Sequence, residues 1–288
     1  MENMVSEGCL DATKIFLFDE VYPSRAAEEQ ADKKKLGAFG MLAKLNPLNR
    51  PKIDTVLLSR KEMRLEPFWQ VAAQRQVEYT SNVDYPVPVN NPHALSVTIG
   101  GNTHEVARQG AKAAGRIDLR ACEHCFRKID YATHLDGLGR DIKPSVLAGY
   151  IGKYKYAEIA SLDRPEVVMP KLPMAAVIQH VRSHLAAEAV NAHEIQSDHD
   201  RFERLHLFLR PVYAFEYVWT TADRRGVIEV DGLTGEVVEG GQWFKDKLDR
   251  LVTRDSLFDL GADVAGALVP GGSIAVKVID RITAPGKE

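Results

Sequence analysis

The sharpest chemical motif in the chain is Cys122-Glu123-His124-Cys125. Two thiolates at this spacing can share a metal ion or cycle as a redox pair. A structural zinc site needs four ligands, and no second C-x-x-C occurs. His124 is the internal supplement, with His134 and Cys9 as the only other obvious ones. A thioredoxin-like pair needs its first cysteine at a helix N-terminus after a βαβ pattern, which the flanking sequence lacks. Two ordinary reduced thiols are the simplest account, and zinc is the cofactor to consider if a metal is held. A second set begins at His180 and His184, four residues apart and so on one helix face. Glu188 continues that row, and His193, Glu194, Asp198 and His199 follow. These types can ligate a metal, but the internal Glu of the metalloprotease motif is missing. A solvated polar face explains them more simply.

No catalytic residue emerges. Gly266 to Ser273 imitates part of a phosphate loop but lacks its Lys-Ser/Thr end and follows an expected helix rather than a strand. No Gly-x-Ser-x-Gly elbow occurs and no triad assembles.

The elements that must position these residues centre on Arg210 to Val237. Alternation through Val212, Ala214, Tyr217 and Trp219, a polar turn at Thr221 to Gly226, and a second run from Val227 predict antiparallel strands. Tyr213, Phe215, Tyr217 and Trp219 make one strand face rich in rings. With Trp69, they are the candidate binding residues; packing in a core is the competing and simpler reading. A charged helix is expected from Ala26 to Lys35 with Ser24 as its N-cap, and a helical face from Leu36 to Leu45. Strands are expected at Ile15 to Phe18, at Ile53 to Leu58 and through Met63 to Tyr79. Another helix is expected at Ile151 to Leu162. The stripe Val177, Ile178, Val181, Leu185 and Ala189 predicts a helix from Met174 to Val190. Trp243 to Val252 reads as a helix that Leu257 to Val269 continues with small residues, and a last strand is expected at Ile274 to Val278.

At 288 residues the chain holds one large domain or two smaller ones. Its net charge of −3 gives no reason to expect nucleic acid or an anionic membrane as partner. Three cysteines cannot staple a chain of this size. Met1 to Leu10 has no apolar core, so no secretory signal is expected, and a reducing cytoplasm fits best. Asp259, Asp263 and Lys277 argue against a membrane span in Leu257 to Ile279; peripheral membrane association through that tail is a minor alternative.

Ser96 to Val106 (SVTIGGNTHEV) aligns with Val227 to Val237 (VIEVDGLTGEV), matching Gly101 with Gly232, Thr103 with Thr234 and Glu105 with Glu236. An internal repeat is expected on that basis. The second copy resembles the PepSY family, through the helix from Met174, the strand Val212 to Trp219, and Asp231, Thr234, Gly235 and Glu236. The first copy is a degenerate match, with Gly100 and His104 in place of the Asp and Gly. The resemblance implies small α+β units associated with control of peptidases, without catalytic residues. Asp231 also has a plain structural task, accepting turn N–H groups, and Gly235 can take positive φ.

The expectation is therefore an α+β protein of two related helix-plus-antiparallel-sheet units. They span 1–107 and 171–241, with a connector at 108–170 and a helical tail and strand at 242–288. It is expected to act without catalysis, by binding another protein or its own copies. The alternative is a metal- or thiol-dependent protein using Cys122 and Cys125.

Overall fold

The computed structural model describes residues 13–40, 43, 50–108, 110, 113–160 and 164–241. The strands are β1 (Thr13–Phe18), β2 (Val56–Val89), β3 (Ser96–Ile99), β4 (Asn102–Glu105), β5 (Gly115–Asp136), β6 (Tyr156–Glu158), β7 (Glu194–Trp219), β8 (Arg224–Asp231) and β9 (Val237–Glu239). The helices are α1 (Ser24–Lys34), α2 (Pro144–Lys153) and α3 (Met174–Ala187), and a 3-10 turn spans Lys35–Phe39. The chain forms two compact units. Among the described residues, the first takes 13–73, Tyr131–Ser183 and 202–241; the second takes Gln74–Asp130 and His184–Arg201.

In the first unit, β7 carries a different partner on each part of one edge. β1 pairs with it in parallel from Thr13↔Leu205 to Leu17↔Leu209. β8 then pairs antiparallel from Val212↔Asp231 to Trp219↔Arg224. Pro211 sits between the two ladders. It has no N–H to give, so it falls where the edge changes partner. β2 repeats the device. Leu65 exchanges backbone bonds with Glu166 and Val168, and Pro67 follows. Each proline carbonyl then accepts a glycine N–H: Gly137 to Pro67 and Gly232 to Pro211, both at 2.9 Å. A Cβ on these glycines would lie 2.6 and 2.7 Å from the proline oxygens, so a bare backbone is required. β2 and β7 are neighbours in the sheet. Side chains meet at Arg60 and Glu216, Glu66 and Arg210, and Gln70 and His206. One number rises as the other falls, so the pair is antiparallel.

Both faces of this sheet are covered. Alternation sends Tyr213, Phe215, Tyr217 and Trp219 to one face, where they pack with Ala27 and Ala31 of α1 and with Phe39 of the 3-10 turn. Burying Phe215 there contributes on the order of 1.5–3 kcal/mol. The other face holds Phe18, Phe68 and Phe208 against Leu147 and Tyr150 of α2. Phe68 and Phe208 stack at 5.3 Å between ring centroids. Trp69 donates its indole N–H to the Leu172 carbonyl at 2.9 Å.

The second unit is built on antiparallel β2 and β5, which meet through Gln74–Asp130 at 2.8 Å and Arg120–Asp84 at 3.7 Å. Arg75 grips Asp198 with two hydrogen bonds, at 2.9 and 2.7 Å, and donates to the Leu185 carbonyl at the end of α3. β3 and β4 form a separate two-stranded sheet.

Two expectations are overturned. The architecture is mostly β, a seven-stranded mixed sheet, rather than α+β built of two helix-plus-sheet units. The aligned segments also fold differently. Around Gly100 and Gly101, both with positive φ, Ser96↔Glu105 and Thr98↔Thr103 pair in a two-residue hairpin. Around Gly232 the chain makes a six-residue loop between Val230 and Val237, which pair directly. Thr103 is therefore a strand residue and Thr234 a loop residue. The shared Gly, Thr and Glu reflect what turns favour.

Smaller corrections follow from strand continuity. The expected runs from Ile53 to Tyr79 are largely one strand, β2, which passes through Pro67. The expected Ile151 to Leu162 helix is α2 ending at Lys153, then β6. Ser24 is the first helical residue of α1, and Pro23 occupies the cap position. The expected elements from Trp243 onward lie outside the described residues. No helix among the described residues is long and apolar enough to cross a membrane.

Candidate functional site

The Pro67 and Pro211 corners place charged residues in the interior. Glu66 and Arg210 directly precede the prolines, and Asp136 and Asp231 directly precede the contacting glycines. Glu66, wholly buried, is the hub. Its Oε1 accepts from Arg64 Nε at 2.8 Å. Its Oε2 accepts from Arg140 Nη2 at 2.7 Å and from Arg210 Nη2 at 2.8 Å. Arg64 also donates to Glu229 at 2.6 Å. Arg140 clamps Asp136 through Nη2 at 2.7 Å and Nε at 3.0 Å. Arg210 pairs with Asp231, which also accepts the Tyr150 hydroxyl at 2.9 Å. The Arg210 guanidinium lies 5.5 Å from the centroid of the Tyr150 ring, a cation–π distance.

Three guanidiniums thus face four carboxylates. Burial opposes the charged form of Glu66, but Arg210, Arg64 and Arg140 outweigh it and hold its carboxyl at about 2. Burial, with Asp231 adding to it, pushes the Tyr150 hydroxyl up, despite the opposing Arg210. A general acid or base works best with a pKa near the ambient pH. Glu66 and Tyr150 are pushed away from it in opposite directions. The network's evident task is to hold the two corners together.

A cleft of about 380 Å³ opens beside Arg140, lined also by Tyr131, His134, Asp136, Ile142 and His180. Burial, with Arg204 nearby, lowers the pKa of His134 and favours its neutral ring. Its buried Nε2 has no hydrogen-bond partner among the described residues. Arg140 is already engaged by Asp136 and Glu66.

The sequence-predicted site residues are dispersed. Tyr213, Phe215, Tyr217, Trp219 and Trp69 are all at most 3% exposed, so these rings form core rather than a binding surface. Cys122, His124 and Cys125 all lie on β5. Successive strand residues point to opposite faces, so Cys122 and His124 share the exposed face while Cys125 lies on the half-buried one. The two thiols therefore do not converge on one ion. His180 and His184 lie four apart on α3. No group of three or more potential metal ligands forms among the described residues.

The turn reading of Asp231 holds. Its Oδ1 accepts from Leu233 N at 2.8 Å and Thr234 N at 3.0 Å, and Gly235 has φ of 75°. Sequence reasoning missed Arg64, Glu66, Asp136, Arg140 and Arg210. A signal existed: Glu-Pro and Arg-Pro interrupt apolar runs at 66–67 and 210–211, and Asp-Gly-Leu occurs at both 136–138 and 231–233.

One surface feature remains, the side of β5 in the second unit that faces away from β2 and that no other described strand pairs. β5 is the terminal strand of the sheet order, with β2 as its strand neighbour. Arg116 exchanges both backbone bonds with Ala107, at 2.8 and 3.0 Å, and so turns away from β2. In an antiparallel ladder this direction alternates. Asp118, Arg120, Cys122, His124, Phe126 and Lys128 therefore present their N–H and C=O outward. Their side chains share one exposed face.

Comparison with protein-family models, with curated proteins and with solved structures finds no match.

Proposed function

We propose that this chain is a non-enzymatic binding protein that engages a protein partner by accepting a strand along β5. The observation that carries the reading is the backbone edge from Asp118 to Lys128, which no other described strand pairs. Such a row of outward N–H and C=O groups is a template for strand addition. Charges along it, Asp118, Arg120 and Lys128, guard against indiscriminate pairing and set partner choice. Phe126, 60% exposed, supplies an apolar anchor on the same face. The resemblance of the Asp231 hairpin to the PepSY signature fits a binding role, since those modules act without catalytic groups.

A photo-crosslinking residue at position 120, in the full chain inside its host cell, tests this. A discrete protein adduct is expected from position 120 and none from a control at exposed Arg25. Arg120→Pro should abolish binding, measured with a crosslinker at position 126. It removes an outward N–H while leaving the β2 ladder intact. The absence of an adduct at 120 would overturn the reading.

A further inference from the structure

We infer that the β5 edge pairs with the same edge of a second copy, antiparallel about Glu123, and that this pairing builds one zinc site from Cys122 and His124 of both copies. The inference rests on the strand-addition reading and names its partner.

Pairing about Glu123 sets Asp118 opposite Lys128 of the second copy, Arg120 opposite Phe126, and Cys122 opposite His124. By symmetry each pair occurs twice. Opposite charges face each other on the exposed side, and a guanidinium meets a ring. Sliding the centre to Cys122 would set Arg116 against Lys128. Sliding it to His124 would set Asp118 against Asp130 and Arg120 against Lys128. Like charges directly opposite are destabilising, so the charge pattern favours Glu123 over either adjacent centre. All the pairs on this face join even-numbered residues, the ones whose backbone groups point outward, so they are hydrogen-bonded pairs. The present partners of these charges are weak. Asp118 lies 3.4 Å from Arg116 and Lys128 3.7 Å from Asp130, all of them about half exposed or more.

Among the described residues, one chain places Cys122 and His124 as neighbours on this face, short of the four ligands that a structural zinc needs. The two-fold supplies two thiolates and two imidazoles around one point. Opposite residues place their Cβ atoms about 4.5–5.5 Å apart, and diagonal positions are about 7–8 Å apart. The twist of the strand pair shortens one diagonal. Zinc takes such a mixed sulfur and nitrogen set tetrahedrally, with Zn–S of about 2.3 Å. Each Cys122 thiol gives its proton to solvent as it binds. A disulfide between the two Cys122 residues is disfavoured, because its Cα atoms must approach within about 6.8 Å. One contact opposes the pairing: the two Glu123 carboxylates face each other on the reverse side, each accepting its own Tyr85 hydroxyl.

The test uses the full chain under reducing conditions, with molar mass measured by light scattering across a zinc titration. Expected are a monomer in chelator, a dimer with zinc, and one zinc per two chains. Cobalt should give the visible absorption of a tetrahedral thiolate site. Cys122→Ser and His124→Ala should abolish zinc-dependent dimerisation, while Cys125→Ser leaves it intact. Glu123→Gln should shift the dimer midpoint to lower protein concentration. One zinc per chain, a mass unchanged by zinc, or loss of the dimer in Cys125→Ser would each overturn the inference. Crosslinking at position 120 separates this failure from that of the broader reading. A self-adduct supports both, an adduct to a different protein overturns only the second copy as partner, and no adduct overturns both.

Discussion

Glu66 and Arg210 meet at 2.8 Å in the interior, each on the residue before a mid-strand proline. The prolines mark where β2 and β7 change edge partners, and the ion pair joins the two strands beside those points. Removing one partner from such a pair leaves uncompensated buried charge. Glu66→Gln leaves Arg64, Arg140 and Arg210 without their shared carboxylate. It should cost about 3–5 kcal/mol, read as a lower urea midpoint at pH 7 with an unchanged slope.

The same carboxylate should shape acid stability. Its pKa falls from an ordinary 4.5 to about 2 on folding. Between those values the unfolded chain binds the proton and the folded chain does not, so stability rises with pH across that window. The contribution is full above 4.5 and is lost as pH falls toward 2. Unfolding free energy measured across that acid range should therefore drop less steeply in Glu66→Gln than in the parent chain. Parallel curves would refute this.

Gly137→Ala and Gly232→Ala should each destabilise by about 1–3 kcal/mol, because the new methyl meets a proline carbonyl on rigid backbone. Gly149→Ala is the control. Gly149 lies inside α2, and nothing stands within 4 Å of the place its methyl would take. That change should stabilise by about 0.5–1 kcal/mol. Thermal melting of the three variants checks the contrast.

Two buried tyrosines on one strand face should respond differently to loss of the hydroxyl. Tyr213 donates to the Tyr22 carbonyl at 3.0 Å, and burial with Glu20 nearby pushes its pKa up to about 12. Tyr213→Phe should cost about 1 kcal/mol. The Tyr217 hydroxyl is buried without a hydrogen-bond partner among the described residues. Tyr217→Phe should be neutral or stabilising by chemical denaturation, since it removes an unsatisfied polar group.

Local patterns were legible where neighbours along the chain decide conformation. The apolar stripe from Met174 marked α3, a short apolar run marked β1, alternation marked the later part of β7, and Asp231 with Gly235 marked the loop after β8. These depend on helix period, strand period and turn chemistry, all short-range properties. Tertiary structure alone decided the rest. Pro67 reads as a strand breaker until its missing N–H is seen to fall at a change of partner. Cys122 and Cys125 look like a chelating pair until the backbone between them proves extended and sends them to opposite faces. Glu66 meets Arg140 and Arg210, which lie 74 and 144 residues away along the chain. No local periodicity encodes such a meeting, because its energy comes from charges that only the folded sheet brings out of water together.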